Sequence, residues 1–196
     1  KTQSRAVLGI PAVGPCIGMV ARCVPEKRHE LLIEAFKEVA AAFPGATLVL
    51  AGAGGMCEPA VSAMIATHPF ARRIIWLGHR NDMPAVYNAL DLMVLTSTSE
   101  GMSNVSLEAM SCGVPVLMNH ACGSEELILE GVNGRAAPMR NVHEVAAAIT
   151  TLLASPEEMQ RMGREARAMV ELGHPLEKTA ADYASVYRQL ALRARA

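Results

Sequence analysis

Residues 16–51 read CIGMVARCVPEKRHELLIEAFKEVAAAFPGATLVLA. Cys16 to Ala21 is a short apolar run, and Thr47 to Ala51 is a second. Between them Leu31, Leu32, Ala35, Phe36, Val39, Ala40 and Phe43 recur at helical spacing until Pro44-Gly45 stops the pattern. Two apolar runs bridged by an amphipathic helix form a βαβ unit, in which the strands lie parallel and the helix crosses over them. Strands are expected next at Arg73 to Leu77, Leu92 to Leu95, Val114 to Met118 and Gly134 to Ala137. Helices are expected at about 56–67, 83–90, 104–112, 124–130 and 142–153. The fold class is α/β, with a doubly wound, mainly parallel sheet of six strands.

The flanks read differently. Residues 1–15, with Gly9, Pro11, Gly14 and Pro15, resemble a linker entering the domain. After Ser155-Pro156 the chain becomes wholly helical, with Glu157-Glu158 where a helix dipole favours acids. Gly173-His174-Pro175 separates off a last helix at about 176–193.

Composition removes several function classes. The chain has 196 residues, 51% of them apolar, and 18 basic against 19 acidic side chains, a net charge of −1. That suits one globular domain and lacks the basic footprint of a nonspecific nucleic-acid binder. No apolar stretch approaches the roughly 18 to 20 residues of a transmembrane helix. The polar start, Lys1 to Arg5, does not read as a secretory signal. Cys16, Cys23, Cys57, Cys112 and Cys122 form neither a Cys-x-x-Cys pair nor an even disulfide framework, so they read as small core residues in a reducing cytoplasm. The six histidines show no zinc-binding spacing, and no metal site is expected.

Open parallel sheets bind ligands beyond the carboxyl ends of their strands, which directs attention to the loops there. After the first strand, Arg22, Lys27 and Arg28 stand between a strand end and a helix start, a place suited to phosphate. A solvated charge cluster accounts for the same residues equally well. Gly52-Ala53-Gly54-Gly55 follows the second strand, but Cys57 occupies the third glycine of a dinucleotide fingerprint. A tight turn needing positive φ is the better account, which disfavours an NAD-dependent oxidoreductase.

After the fourth strand the chain runs Thr96-Ser97-Thr98-Ser99-Glu100-Gly101-Met102-Ser103-Asn104-Val105-Ser106-Leu107-Glu108-Ala109-Met110. Ser103 or Asn104 can cap a helix, Gly101 permits close backbone approach, and free amides at 102–105 would face a crevice. Glu100 and Glu108 can border that crevice and accept hydrogen bonds from sugar or ribose hydroxyls. The plainer account makes Glu100 a helix-dipole partner and Glu108 a surface residue. The loop from Asn119 to Glu126, with Gly123, Ser124, Glu125 and Glu126, lines the same crevice or merely caps a helix.

Taken together, Arg22-x4-Lys27, Leu77-Gly78-His79-Arg80-Asn81-Asp82-Met83, the Glu100-x7-Glu108 segment through Gly113 and Pro115, and Gly123-Ser124-Glu125-Glu126 resemble the donor half of a retaining GT-B glycosyltransferase, of family 4 or group 1. The resemblance covers about residues 16–172. It implies a Rossmann-like nucleotide-sugar-binding domain and a metal-independent transfer from a nucleotide-diphosphate sugar to a glycan or lipid-linked acceptor. By that resemblance Arg22 and Lys27 neutralise the leaving diphosphate. Glu100 touches the donor sugar, Glu108 the ribose, and His79 and Arg80 face the base. Gly101, Met102, Ser103 and Asn104 line the donor site. Arg28 departs from the family glycine after the lysine, and Gly123-Ser124 replaces a double glycine.

The resemblance further implies an acceptor-binding amino-terminal domain outside this chain, with residues 173–196 reaching toward it. The full-length enzyme is then expected in the cytoplasm, with a peripheral position at the inner membrane face left open. A nucleotide-sugar epimerase of the same architecture and a noncatalytic nucleotide-sugar module remain as alternatives.

Overall fold

The computed structural model describes residues 1–120, 127–173 and 175–193. Six strands, β1 (Cys16–Val20), β2 (Thr47–Ala51), β3 (Ile74–Trp76), β4 (Leu92–Leu95), β5 (Val116–Asn119) and β6 (Gly134–Ala137), form one sheet in the order β3-β2-β1-β4-β5-β6. Every adjacent pair is parallel. Parallel strands need both faces covered, and β1, β2, β4 and β5 are accordingly buried along their whole length.

Side chains alternate between two cores. Ile17, Met19, Leu48, Leu50, Leu92 and Val94 face a cluster completed by helices α2 (His29–Ala42), α3 (Glu58–Thr67) and α6 (Val142–Leu153). Cys16, Val20, Val49, Met93 and Leu95 face the other cluster, against α4 (Met83–Ala89) and α5 (Asn104–Ser111). Helix α7 (Pro156–Gly173) contributes Met159 and Met162 to the first core and Ala166 to the second. Helix α8 (Leu176–Arg193) leaves Tyr183, Val186, Tyr187 and Leu190 exposed. No described helix is long and apolar enough to cross a membrane.

The six strands and most helices fall where periodicity puts them. β5 starts two residues later than the apolar run, because Pro115 has no amide to donate, while its carbonyl accepts from Met93 N at 3.0 Å. Two expectations are corrected. Residues 1–15 are not a free linker: Thr2–Val7 is a helix, α1, and Leu8 and Ile10 are buried. Arg5 fastens it, donating to the carbonyls of Ala89 (2.9 Å), Ala12 (3.2 Å) and Gly14 (3.0 Å) and to Asp91 Oδ2 at 2.6 Å. Of the helix expected at 124–130, residues 124–126 lie outside the described residues. Residues 127–130 form a turn leading into a bridge at Glu130. Asn133 takes the place of helical partners there, accepting from Leu129 N at 2.8 Å and donating to Leu127 O at 3.0 Å.

Candidate functional site

The strand order reverses between β1 and β4, and a doubly wound sheet opens its ligand crevice at such a point. The loops that follow these two strands are tied together by backbone. Thr98 N donates to Glu26 O at 2.9 Å, and Thr96 Oγ1 reaches the carbonyls of Lys27 at 2.7 Å and Arg28 at 3.1 Å. A 3₁₀ turn, Pro25–Lys27, shapes the first loop, which is also strapped to the β2 loop through Cys23 N and Gly54 O at 2.9 Å.

Over this seam Lys27 Nζ meets Glu100 Oε1 at 2.6 Å, with the two side chains 23% and 11% exposed. The pair is partly desolvated, so the attraction is screened less than on an open surface. Arg22, in the β1 loop, is exposed, and its guanidinium has no hydrogen-bond or ion-pair partner among the described residues. The amides of His29 and Glu30 in α2, and those of Met102, Ser103, Asn104 and Val105 at the start of α5, have no partners among the described residues. Two helix amino termini with unspent donors and one unspent guanidinium make this region electropositive and receptive to an anion.

Gly101, Met102 and Asn104 are exposed at the entry to α5. Ser103 occupies the N-cap position, but its hydroxyl accepts from Ser106 Oγ at 2.9 Å instead of capping an amide. Glu108 lies one turn further along α5. It does not join Lys27 and Glu100: Tyr87 Oη on α4 donates to its Oε2 at 2.6 Å. Burial first, then the Glu108 carboxylate, hold the Tyr87 phenol far above its ordinary range, so it stays protonated and donates. Met83, Pro84, Tyr87, Glu108, Ser111 and Cys112 line a hollow of about 190 Å³.

His79 is exposed, with Nε2 at 3.1 Å from Asn81 Oδ1. Arg80 is committed to Asp82 through two hydrogen bonds of 2.8 and 2.7 Å. Both precede α4, on whose first turn the Glu108 hollow opens. The turn after β2 is confirmed: Gly52 has φ +123°, and a Cβ there would overlap the Ala21 carbonyl oxygen. Gly123, Ser124, Glu125 and Glu126 lie outside the described residues.

Thus the structure joins Lys27 to Glu100, leaves the Arg22 side chain unpaired among the described residues, and ties Glu108 to α4. Sequence reading missed Tyr87, Thr96 and Thr98. Thr96 and Thr98 follow a strand, which is a usable signal, whereas nothing local marks Tyr87.

An all-parallel sheet of this order, with its loops joined across the switch point, is Rossmann-like and matches one half of a GT-B glycosyltransferase. The chain belongs to the family described as glycosyl transferases group 1, whose model matches residues 1–169. It is 30% identical over 161 residues to a D-inositol 3-phosphate glycosyltransferase of Mycobacterium marinum, covering 79% of this chain and 34% of that protein. Among solved structures, Anabaena HepE in complex with UDP-glucose superposes with a TM-score of 0.87 at 28% identity, over 96% of this chain and 52% of that one. In fold the chain also matches the C-terminal domain of a group 1 glycosyl transferase, LpcC of Francisella tularensis. There the TM-score is 0.79 at 22% identity, over 89% of this chain and 93% of that domain. The chain thus spans about half or less of the full-length proteins it matches.

Proposed function

We propose that this chain is the donor-binding half of a glycosyltransferase. It holds a nucleoside-diphosphate sugar at the β1/β4 seam, and the whole enzyme passes the sugar, with retention of configuration, to a glycan or lipid-linked acceptor bound by an amino-terminal domain. The observation that carries this reading is the Lys27–Glu100 contact across the seam, at 2.6 Å, with the Arg22 guanidinium of the same β1 loop unpaired among the described residues. Breaking a glycosyl–diphosphate bond builds negative charge on the leaving phosphate, and fixed cations and helix amides stabilise it without a metal. Lys27 carries three N–H donors, so it can keep Glu100 and accept a phosphate oxygen as a second partner. Glu100 then stands beside the phosphate, where the donor sugar begins. Gly101, Met102, Ser103 and Asn104 supply backbone, His79 and Arg80 border the base, and Glu108 takes the ribose. The exposed stripe on α8 supports an approach to the acceptor half. Cys16, Cys23, Cys57 and Cys112, free thiols among the described residues, support a cytoplasmic location.

Calorimetric titration of the chain with UDP, GDP and ADP tests the reading. Lys27→Ala and Arg22→Ala are each expected to weaken the best of these by about 1–3 kcal/mol, the range of a charge-assisted hydrogen bond. Glu100→Gln is expected to spare the bare diphosphate and to weaken its sugar conjugate. Unchanged affinities in both cation variants would remove the proposal.

A further inference from the structure

Tyr87 heads the fully buried side chains by volume, and its ring belongs to the core between α4 and the sheet. A phenylalanine would fill that space, and a hydroxyl at the core's edge costs free energy unless it finds a partner. Its partner is Glu108 Oε2, at 2.6 Å, on the neighbouring helix. Among the described residues no other hydrogen bond or ion pair restrains that carboxylate. Arg80 is engaged by Asp82, Ser111 Oγ donates to the Glu108 backbone carbonyl at 2.7 Å, and Oε1 has no partner among the described residues. One oxygen is therefore held from the core side, while the residue lines the hollow between α4 and α5.

We propose that Tyr87 is a positioning residue, whose hydroxyl fixes the Glu108 carboxylate so that its free oxygen meets a ribose hydroxyl of the donor nucleotide. This rests on the reading of Glu108 as the ribose contact. An exposed glutamate samples many rotamers, and holding it beforehand removes that ordering cost when ligand arrives. Tyr87 acts here through Glu108.

The test titrates the chain with UDP, GDP and ADP and carries the tightest binder forward beside its 2′,3′-dideoxy analogue. The wild type is expected to prefer the ribose form by about tenfold, the worth of one hydrogen bond to a charged acceptor. Glu108→Gln is expected to erase most of that preference. Tyr87→Phe is expected to cut it to about threefold or less while leaving the dideoxy analogue within about twofold of wild type.

If none of the three diphosphates binds, or if Glu108→Gln keeps the preference, the donor-site reading itself fails. If Glu108→Gln loses the preference and Tyr87→Phe keeps it, only the Tyr87 assignment falls. Equal weakening of both ligands by Tyr87→Phe would mean a purely structural ring and would also overturn it. Should Tyr87→Phe not fold, Tyr87→Met decides, since it too fills the core without a hydroxyl. A loss confined to the ribose form supports the assignment, and an unchanged preference or equal weakening of both ligands overturns it.

Discussion

Arg28 has φ 53° and ψ 48°, and it is the sole non-glycine residue with positive φ among those described. A side chain in this left-handed region costs roughly 1 kcal/mol. Here the guanidinium offsets the strain by donating to Met139 O at 2.8 Å. Where a glycine would leave the backbone unstrained, this chain has a link from the β1 loop to the segment after β6. Arg28→Ala keeps the strain and loses the link, whereas Arg28→Gly loses both. Denaturant unfolding is therefore expected to find the glycine variant about 1 kcal/mol more stable than the alanine variant. Equal stabilities would show that the turn relaxes around alanine. The basic residues of this loop were readable because they follow a strand directly, a local signal. Tyr87 was not, because its meaning lies in a contact between two helices, 21 residues apart.

Helices and strands reported themselves well wherever one apolar face meets one core, as in α2 and α6, whose buried positions recur each turn. α1 gave no such stripe. Its anchor is a buried arginine whose partners, Ala89 and Asp91, lie more than eighty residues away, and its loop is rich in glycine and proline. α7 shows another demand invisible to hydrophobic pattern. A Cβ at Gly163 would overlap the Gly113 carbonyl oxygen, so the absence of a side chain lets the helix lie against the turn before β5. Gly163→Ala is expected to destabilise the chain by about 1–3 kcal/mol despite alanine's better helix propensity, as judged from the urea midpoint. A gain in stability would mean that α7 shifts freely.

Among the described residues two histidines are buried, and both oppose protonation of the native state. His68 donates from Nε2 to Ile33 O and accepts at Nδ1 from Phe70 N, each at 3.1 Å, which requires a neutral ring. His29 is also buried, with no hydrogen-bond partner for Nδ1 among the described residues. Burial lowers both pKa values below 6.5. The unfolded chain then binds protons that the native one refuses, so stability is full above about pH 6.5 and is lost as pH falls toward the native values. The expected slope is up to about 1.4 kcal/mol per pH unit for each proton. Unfolding followed between about pH 7.5 and about pH 5.5 checks it, and His68→Gln, whose amide can still donate to Ile33 O, should flatten the curve. A flat wild-type curve would refute this account.

The architecture divides naturally into β3-β2-β1 and β4-β5-β6, which meet along a single neighbouring pair. Above that pair the Thr98–Glu26 and Lys27–Glu100 bonds already stitch one triplet of strands to the other. A ligand lodged there would grip both triplets at once, as a rivet does. Its grip would be felt as resistance to shear between the halves and as slower opening of amides on each side, far from any atom it touches.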